Sequence, residues 1–262
     1  PNYTKSTIRA PSIPGQRWYL GECDLEQAES RDTGYISGDG ALIHAVECGR
    51  DFHAHNASAF FGVPYDKIFS DEIKKTLDKK LRDLSKRTNH GANYNMGEAV
   101  LIATMGLKNI YNAARLLRLP PGLTAKQIAS HLLAAFERTY KIVKGAWYQK
   151  VIASVLTTNK LVSPKVNGHS WTRWCFKDPS KSKPALNAYV AHPPQNLNAL
   201  TLNAAFKKVF YEIQLAPEHM DNFRLNAQIH DSILFQYRIG HEYLQNEVAK
   251  RMVFPVNVTD TF

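Results

Sequence analysis

Residues 223–237 read FRLNAQIHDSILFQY. Leu225, Ala227 and Ile229 alternate with polar neighbours, and Ile233 and Phe235 resume the alternation after His230-Asp231-Ser232. Successive side chains of an extended chain point to opposite faces, so this pattern predicts two strands meeting at a tight turn that carries an acid. Towards the N-terminus, QRWYLGECD at 16–24 is short, aromatic-rich and bounded by Pro14-Gly15. It reads as a further strand, arriving at Asp24.

The segments between these strands read mainly as helix. From Ile36 to Phe61 the pattern is helical with a break at Gly49, and Gly62-Val63-Pro64 closes it. Ser70, followed by Asp71 and Glu72, has the features of an N-cap with acids in the first turn, and predicts a helix running to about Asn93. After the break at Leu119-Pro120-Pro121-Gly122, Thr124 and Gln127 form a capping box for a long helix through His131, Phe136 and Trp147, ending near Thr158. Residues 160–185 combine an Asn167-Gly168 turn with a polar loop, which predicts a hairpin and a connector. Pro193-Pro194 then precedes a helical run from about Gln195 to Ile213. No internal repeat is present.

Composition bounds the class. The 262 residues, 44% hydrophobic and 21% charged, suit one large domain or two intimate subdomains and exclude a disordered chain. No stretch reaches the roughly 18 consecutive apolar residues of a membrane span. PNYTKSTIRAP at the start lacks the pattern of a secretion signal, so a cytoplasmic setting is expected. Cys23, Cys48 and Cys175 are odd in number and widely spaced, which predicts buried free thiols. The formal charge of +10 attracts polyanions, and by itself does not choose between nucleic acid and an anionic membrane surface. Part of the excess is concentrated between Asp71 and Arg87, where seven basic residues face four acidic ones.

Three constellations carry chemistry. Asp24 at a strand end is followed five residues later by Glu29; His230-Asp231 occupies the hairpin turn; and Arg82, Lys86, His90 and Tyr94 recur every four residues. At about 100° per residue, Arg82, Lys86 and His90 fall within roughly 80° on one helix face. Such a stripe suits a triphosphate and a stacked base, because arginine binds phosphate bidentately, lysine acts as a point charge and a ring offers a stacking surface. Taken singly, each has a bland reading: a solvated strand-end acid, an ordinary turn aspartate, a solvated helix face.

Their order and combination are specific. The sequence resembles the family A DNA polymerases, the class that includes bacterial DNA polymerase I and many phage replicative enzymes. DLEQAESR (24–31) is similar to their motif A, RDLSKRTNHGANY (82–94) to motif B on the fingers helix, and QIHDS (228–232) to motif C. GRDFHAHNASAFFGV (49–63) resembles the segment after motif A, and AHPPQNLNAL (191–200) the stretch before the late palm helix. The resemblance implies an α+β fold: a palm of antiparallel sheet with helices plus mostly α-helical fingers, with thumb and exonuclease domain absent. Residues 1–40 would be the first part of the palm, 41–185 the fingers with the motif B helix at about 70–94, and 186–262 the rest of the palm.

The resemblance also implies template-directed DNA synthesis on primer-template DNA from dNTPs, with two Mg2+ ions held by Asp24, Asp231 and the Leu25 carbonyl. Two metal ions can stabilise both the attacking and the leaving oxygen of a phosphoryl transfer. By the same resemblance, Arg82, Lys86 and His53 contact the triphosphate, Glu29 is the steric gate that selects deoxynucleotides, and His90 and Tyr94 complete the nucleotide site. Gln195, His230 and Arg9 face the primer-template. Three residues depart from the family pattern: His90 stands where relatives carry Phe or Tyr, Asn95 at a glycine position, and Ser232 where a glutamate commonly follows His-Asp. With only 23 residues before Asp24, the chain reads as a fragment, and a processivity factor or the missing thumb and exonuclease region would be further partners. A catalytically silent nucleic-acid-binding remnant and a single-subunit RNA polymerase are the alternatives, the second opposed by Glu29. A metal-dependent nuclease would have no use for the motif B stripe.

Overall fold

The computed structural model describes residues 3–9, as backbone, and 18–256. The expected turn at Pro14-Gly15, the side chain of Arg9 and the terminal residues 257–262 lie outside the described residues. Strands β1 (Tyr3–Arg9), β2 (Trp18–Leu25), β7 (Phe223–Ile229) and β8 (Ser232–Arg238) form one antiparallel sheet in the order β1-β2-β8-β7. Two short pairs, β3 (Phe69–Ser70) with β4 (Lys75–Thr76) and β5 (Lys160–Val162) with β6 (Thr172–Trp174), complete the strands among the described residues. The helices are α1 (Ala28–Ser37), α2 (Gly40–Glu47), α3 (Phe52–Phe61), α4 (Lys79–Asn93), α5 (Glu98–Met105), α6 (Leu107–Leu116), α7 (Ala125–Thr139), α8 (Tyr148–Thr158), α9 (Lys183–Val209) and α10 (Tyr243–Met252). The fold is α+β, as expected.

The chain divides into a sheet unit, comprising the described parts of 1–29, 162–172 and 194–261, and a helical unit of 30–161 and 173–193. The divisions fall at 29/30 and 193/194, against the anticipated 40/41 and 185/186, and 162–172 belongs with the sheet.

In the sheet unit, the predicted hairpin is β7-β8, with Ile229 paired to Ser232 across His230-Asp231. A register shift between Leu225 and Ala227 interrupts the expected alternation, and Ile229 is 45% exposed. Such a bulge bends the strand and turns the side chains beyond it. On β8, Ile233, Phe235 and Tyr237 are buried together with Cys23, and Leu202, Val209, Leu244 and Val248 from the helices pack into the same core. The rings of Phe223 and Phe235 stack at 5.5 Å. Gly21 pairs with Phe235 across β2-β8, and a Cβ there would meet the phenyl ring at 2.6 Å. That position on β2 needs glycine for close approach, independent of backbone freedom.

In the helical unit, α4 begins at Lys79, not Ser70, with the Asp78 carboxylate accepting from the Leu81 N–H at 3.0 Å. Ser70 pairs with Lys75 in the β3-β4 hairpin, and Asp71 accepts from the Tyr65 hydroxyl at 2.9 Å. The acids after Ser70 therefore occupy a hairpin turn, and the cap passes to the next acid before the apolar positions Leu81 and Leu84. The Thr124-Gln127 capping box is present, but α7 stops at Thr139. A π-helical turn at Val143–Trp147 precedes α8 and buries Val143 and Trp147 in the core with Phe136 and Tyr140. Helix α9 also differs from expectation, because Pro193 and Pro194 lie inside it. Ala185, Tyr189 and Val190 are buried before the prolines, and Leu197, Leu200 and Leu202 after them. Burial on both sides outweighs the hydrogen bonds that proline removes from a helix interior. The regular helix ends at Val209 and gives way to a π-helical turn over Phe210–Gln214, with Ile213 buried.

A polar network ties α1 to α4 in the core of this unit. The Ser30 hydroxyl accepts from the amides of Asn89 and Asn93, both at 3.1 Å. Asn89 Oδ1 accepts from the Asn56 side-chain amide at 3.2 Å, and the Tyr140 hydroxyl donates to Asn56 Oδ1. Buried polar groups cost little when partnered in this way and bind their elements in one register. Cys23 and Cys175 are buried and form no disulfide, as predicted, whereas Cys48 is partly exposed. No helix among the described residues is long and apolar enough to cross a membrane.

Candidate active site

Antiparallel pairing of β2 with β8 sets Asp24 opposite Ser232, one residue from Asp231. The Leu25 N–H donates to the Asp231 carbonyl at 3.0 Å, which holds the turn against the end of β2. The turn itself is strained at one residue, since His230 has φ of 53° in the left-handed region. Side chains with a Cβ enter that region at a cost, so an exposed histidine there is held by its surroundings.

The two aspartates interact directly. Burial pushes the Asp24 carboxyl up to about 7, and its hydrogen bond to Asp231 and the charges of Asp231, Glu22 and Glu26 push in the same direction. Glu22 belongs to this arrangement through Ser232, whose hydroxyl donates to the Glu22 carboxylate at 2.7 Å and to the Ile229 carbonyl at 2.9 Å. Ser232 thus engages an acid from the neighbouring strand. The sequence carried a signal for Glu22: it precedes Asp24 by two on a strand, and residues two apart share a face.

In the helical unit, α4 carries Arg82, Lys86 and His90, and Tyr94 follows at its end. Lys86 and His90 are exposed, Arg82 is partly buried, and the rings of His90 and Tyr94 meet edge to face at 6.3 Å. Tyr94 is the C-cap of α4 and is followed by Asn95 with φ of 56°. The Asn95 side-chain amide donates to Asn187 Oδ1 at 2.9 Å. His53 is buried on α3, and the Ser85 hydroxyl donates to its backbone carbonyl. Burial lowers the His53 imidazole to about 4, and the positive charges of Arg82 and Lys86 add to that despite Asp51. His53 is therefore neutral at physiological pH in this state.

Sequence reasoning did not single out Asp51. Its carboxylate accepts from Arg82 Nε at 2.9 Å and from Arg82 Nη2 at 2.8 Å, a two-point fork. It also caps α3 by accepting from the Ala54 N–H at 2.8 Å. Burial raises the Asp51 carboxyl, but the Arg82 and Ala54 hydrogen bonds outweigh it and hold the group below its ordinary value. The signal was the acid two residues before His53, inside the GRDFH segment.

Asp24, Leu25, His230, Asp231 and Gln195 lie in the sheet unit, with Gln195 exposed on α9. His53, Arg82, Lys86, His90 and Tyr94 lie in the helical unit. Glu29 stands in the first turn of α1, one residue before Ser30 of the buried network. Among the described residues, no group of three or more acids, histidines or cysteines converges to hold a metal ion. The Asp24-Asp231 pair still fits hard divalent cations: its donors are all oxygen, and magnesium is commonly bound by one or two carboxylates, with water and phosphate completing the shell. Burial first, and the neighbouring carboxylates Asp231, Glu22 and Glu26 after it, raise the Asp24 carboxyl, and a cation would offset the second of these effects.

The family model described as DNA polymerase family A matches residues 2–259. The thermostable DNA polymerase I of Thermus aquaticus is 35% identical over 89 residues, 34% of this chain and 10% of that protein. DNA polymerase I of Mycobacterium bovis is 31% identical over 86 residues, 32% of this chain and 9% of that protein. Among solved structures, the POL domain of Pol1 from M. smegmatis, in complex with DNA primer-template and dNTP, aligns with a TM-score of 0.66 at 20% identity. That alignment covers 94% of this chain and 38% of the other, and shows the shared fold.

Proposed function

Because the chain belongs to DNA polymerase family A, we propose that it performs template-directed transfer of a deoxynucleotide from a dNTP to a primer 3′-hydroxyl, releasing pyrophosphate. The observation that carries this reading is the β7-β8 turn, which sets Asp231 in hydrogen-bond contact with Asp24. Two carboxylates so close to each other are costly without a counter-charge, and phosphoryl transfer supplies a use for one. We assign the sheet unit to the palm and the helical unit to the fingers.

Asp24, Asp231 and the Leu25 carbonyl would hold two magnesium ions. Bound there, the ions would favour the deprotonated 3′-hydroxyl and neutralise charge on the leaving oxygen. Arg82 and Lys86 bind and orient the triphosphate, the first through a planar fork and the second as a point charge. His53, neutral and buried beneath them, contributes an imidazole hydrogen bond without adding repulsion. Glu29 excludes the 2′-hydroxyl, its place fixed by the neighbouring Ser30 network. Tyr94 and His90 offer ring faces to the nucleotide and templating base, while Gln195 and His230 contact primer-template DNA.

The test is magnesium-dependent extension of a labelled primer-template with four dNTPs, beside Asp231→Ala. Extension by the unmutated chain, lost in the variant with DNA binding retained, supports the reading. Extension that survives Asp231→Ala refutes the mechanism. DNA binding without extension by the unmutated chain would reduce the span to a binding segment.

A further inference from the structure

We propose that Asp51 is a positioning residue for the nucleotide site, holding one edge of the Arg82 guanidinium so that its other edge is presented to a phosphate. This rests on the polymerase reading for the identity of the nucleotide, and on the geometry of the helical unit for the device itself.

An arginine has five N–H donors in a rigid plane and can serve two acceptors on two edges. Asp51 takes the Nε and Nη2 edge with both carboxylate oxygens, at 2.9 and 2.8 Å. That leaves the Nη1 side for a second acceptor. The carboxylate is itself fixed: Oδ1 caps α3 through the Ala54 N–H, and the Asp51 N–H donates to the Tyr65 hydroxyl at 3.0 Å. Tyr65 in turn donates to Asp71 at 2.9 Å, and Arg50 lies over its ring at 4.9 Å. A chain of contacts from Asp71 through Tyr65 and Asp51 thus ends on Arg82.

Two effects of Asp51 on phosphate binding oppose each other. Its negative charge repels an anion, and its grip removes the rotamer freedom that Arg82 would otherwise lose on binding. The charge is offset by the Arg82 fork and by the N-terminus of the ten-residue helix α3. Preorganisation is then the larger effect, and removing the carboxylate weakens phosphate binding.

The experiment titrates the whole chain with inorganic tripolyphosphate in magnesium buffer, comparing wild type with Asp51→Asn. Asparagine keeps an oxygen to cap α3, and far-UV circular dichroism checks that the helices remain. The expected result is about tenfold weaker binding in Asp51→Asn, with no further loss when the substitution is made in an Arg82→Ala background. Tyr65→Phe, which loosens Asp51 from outside the fork, should weaken binding in the same direction by a smaller factor. In primer extension the loss should fall on KM for dNTP while kcat changes less than twofold. Equal or tighter binding by Asp51→Asn overturns the proposal, as does an undiminished loss in the Arg82→Ala background or no saturable binding by wild type. Primer extension by the same wild-type preparation reports on Asp24 and Asp231, so it separates failure of this device from failure of the polymerase reading.

Discussion

Asp24→Asn should stabilise the metal-free protein at alkaline pH while removing the activity. The Asp24 carboxyl is raised from 3.8 to about 7 in the folded chain. A carboxyl raised on folding binds its proton more tightly in the native state than in the unfolded one. Its contribution to stability is therefore full below about pH 4 and is lost as pH climbs through about 7. At roughly 1.36 kcal/mol per pH unit, a shift of about 3 units sets a ceiling near 4 kcal/mol. Asp24 is only partly buried, and solvent screening reduces this to about 1–2 kcal/mol. Asparagine removes the titration and can still donate to Asp231. The assay is thermal or urea unfolding in EDTA, wild type against variant, at pH 4.5 and pH 8. At about 2–4 °C per kcal/mol for a chain of this size, the variant should melt several degrees higher at pH 8 and near parity at pH 4.5. Magnesium should narrow the gap at pH 8 by stabilising wild type alone. A variant that is less stable at pH 8, or whose advantage is the same at both pH values, would refute the reasoning.

Three other substitutions probe separate parts of the molecule. Gly21→Ala drives a Cβ to 2.6 Å from the Phe235 ring and should cost about 1–3 kcal/mol, read as a lower urea midpoint; an unchanged midpoint would show that the ring moves aside freely. Ser30→Ala leaves the amides of Asn89 and Asn93 short of an acceptor and should cost about 1–3 kcal/mol, with Ser30→Thr restoring part of it. Glu29→Ala should raise incorporation of ribonucleotides relative to deoxynucleotides in competition assays, and an unchanged ratio would remove Glu29 from the gate.

The elements that position Asp24 and Asp231 could be read directly from the chain, because a two-residue turn between alternating strands is a local signal. A strand arriving at Asp24 and two strands meeting at a turn that carries Asp231 were both predicted, and the β2-β8 register brings those acids together. The start of α4 could not be read so well. Ser70-Asp71-Glu72 has the composition of an N-cap, and only the pairing of Ser70 with Lys75 assigns it to a hairpin. The prolines within α9 misled for the opposite reason, since a strong local breaker is overridden by burial on both sides. At the site, motif residues were legible as types at fixed spacings, whereas Asp51 and Glu22 gain their meaning from partners distant in sequence. Arg82 lies 31 residues from Asp51, and Ser232 lies 210 from Glu22. No window along the chain contains either pair.

The left-handed backbone at His230 has a consequence for how mutations at that codon would be ranked. Glycine enters this conformation without a Cβ penalty, so a screen that rewards only folding would favour glycine there over the native residue. A screen that rewards template-dependent synthesis would favour histidine if its imidazole meets nucleic acid. Selection for stability and selection for activity would then pull one position towards different amino acids, and the divergence between the two screens would measure what the imidazole contributes beyond the turn.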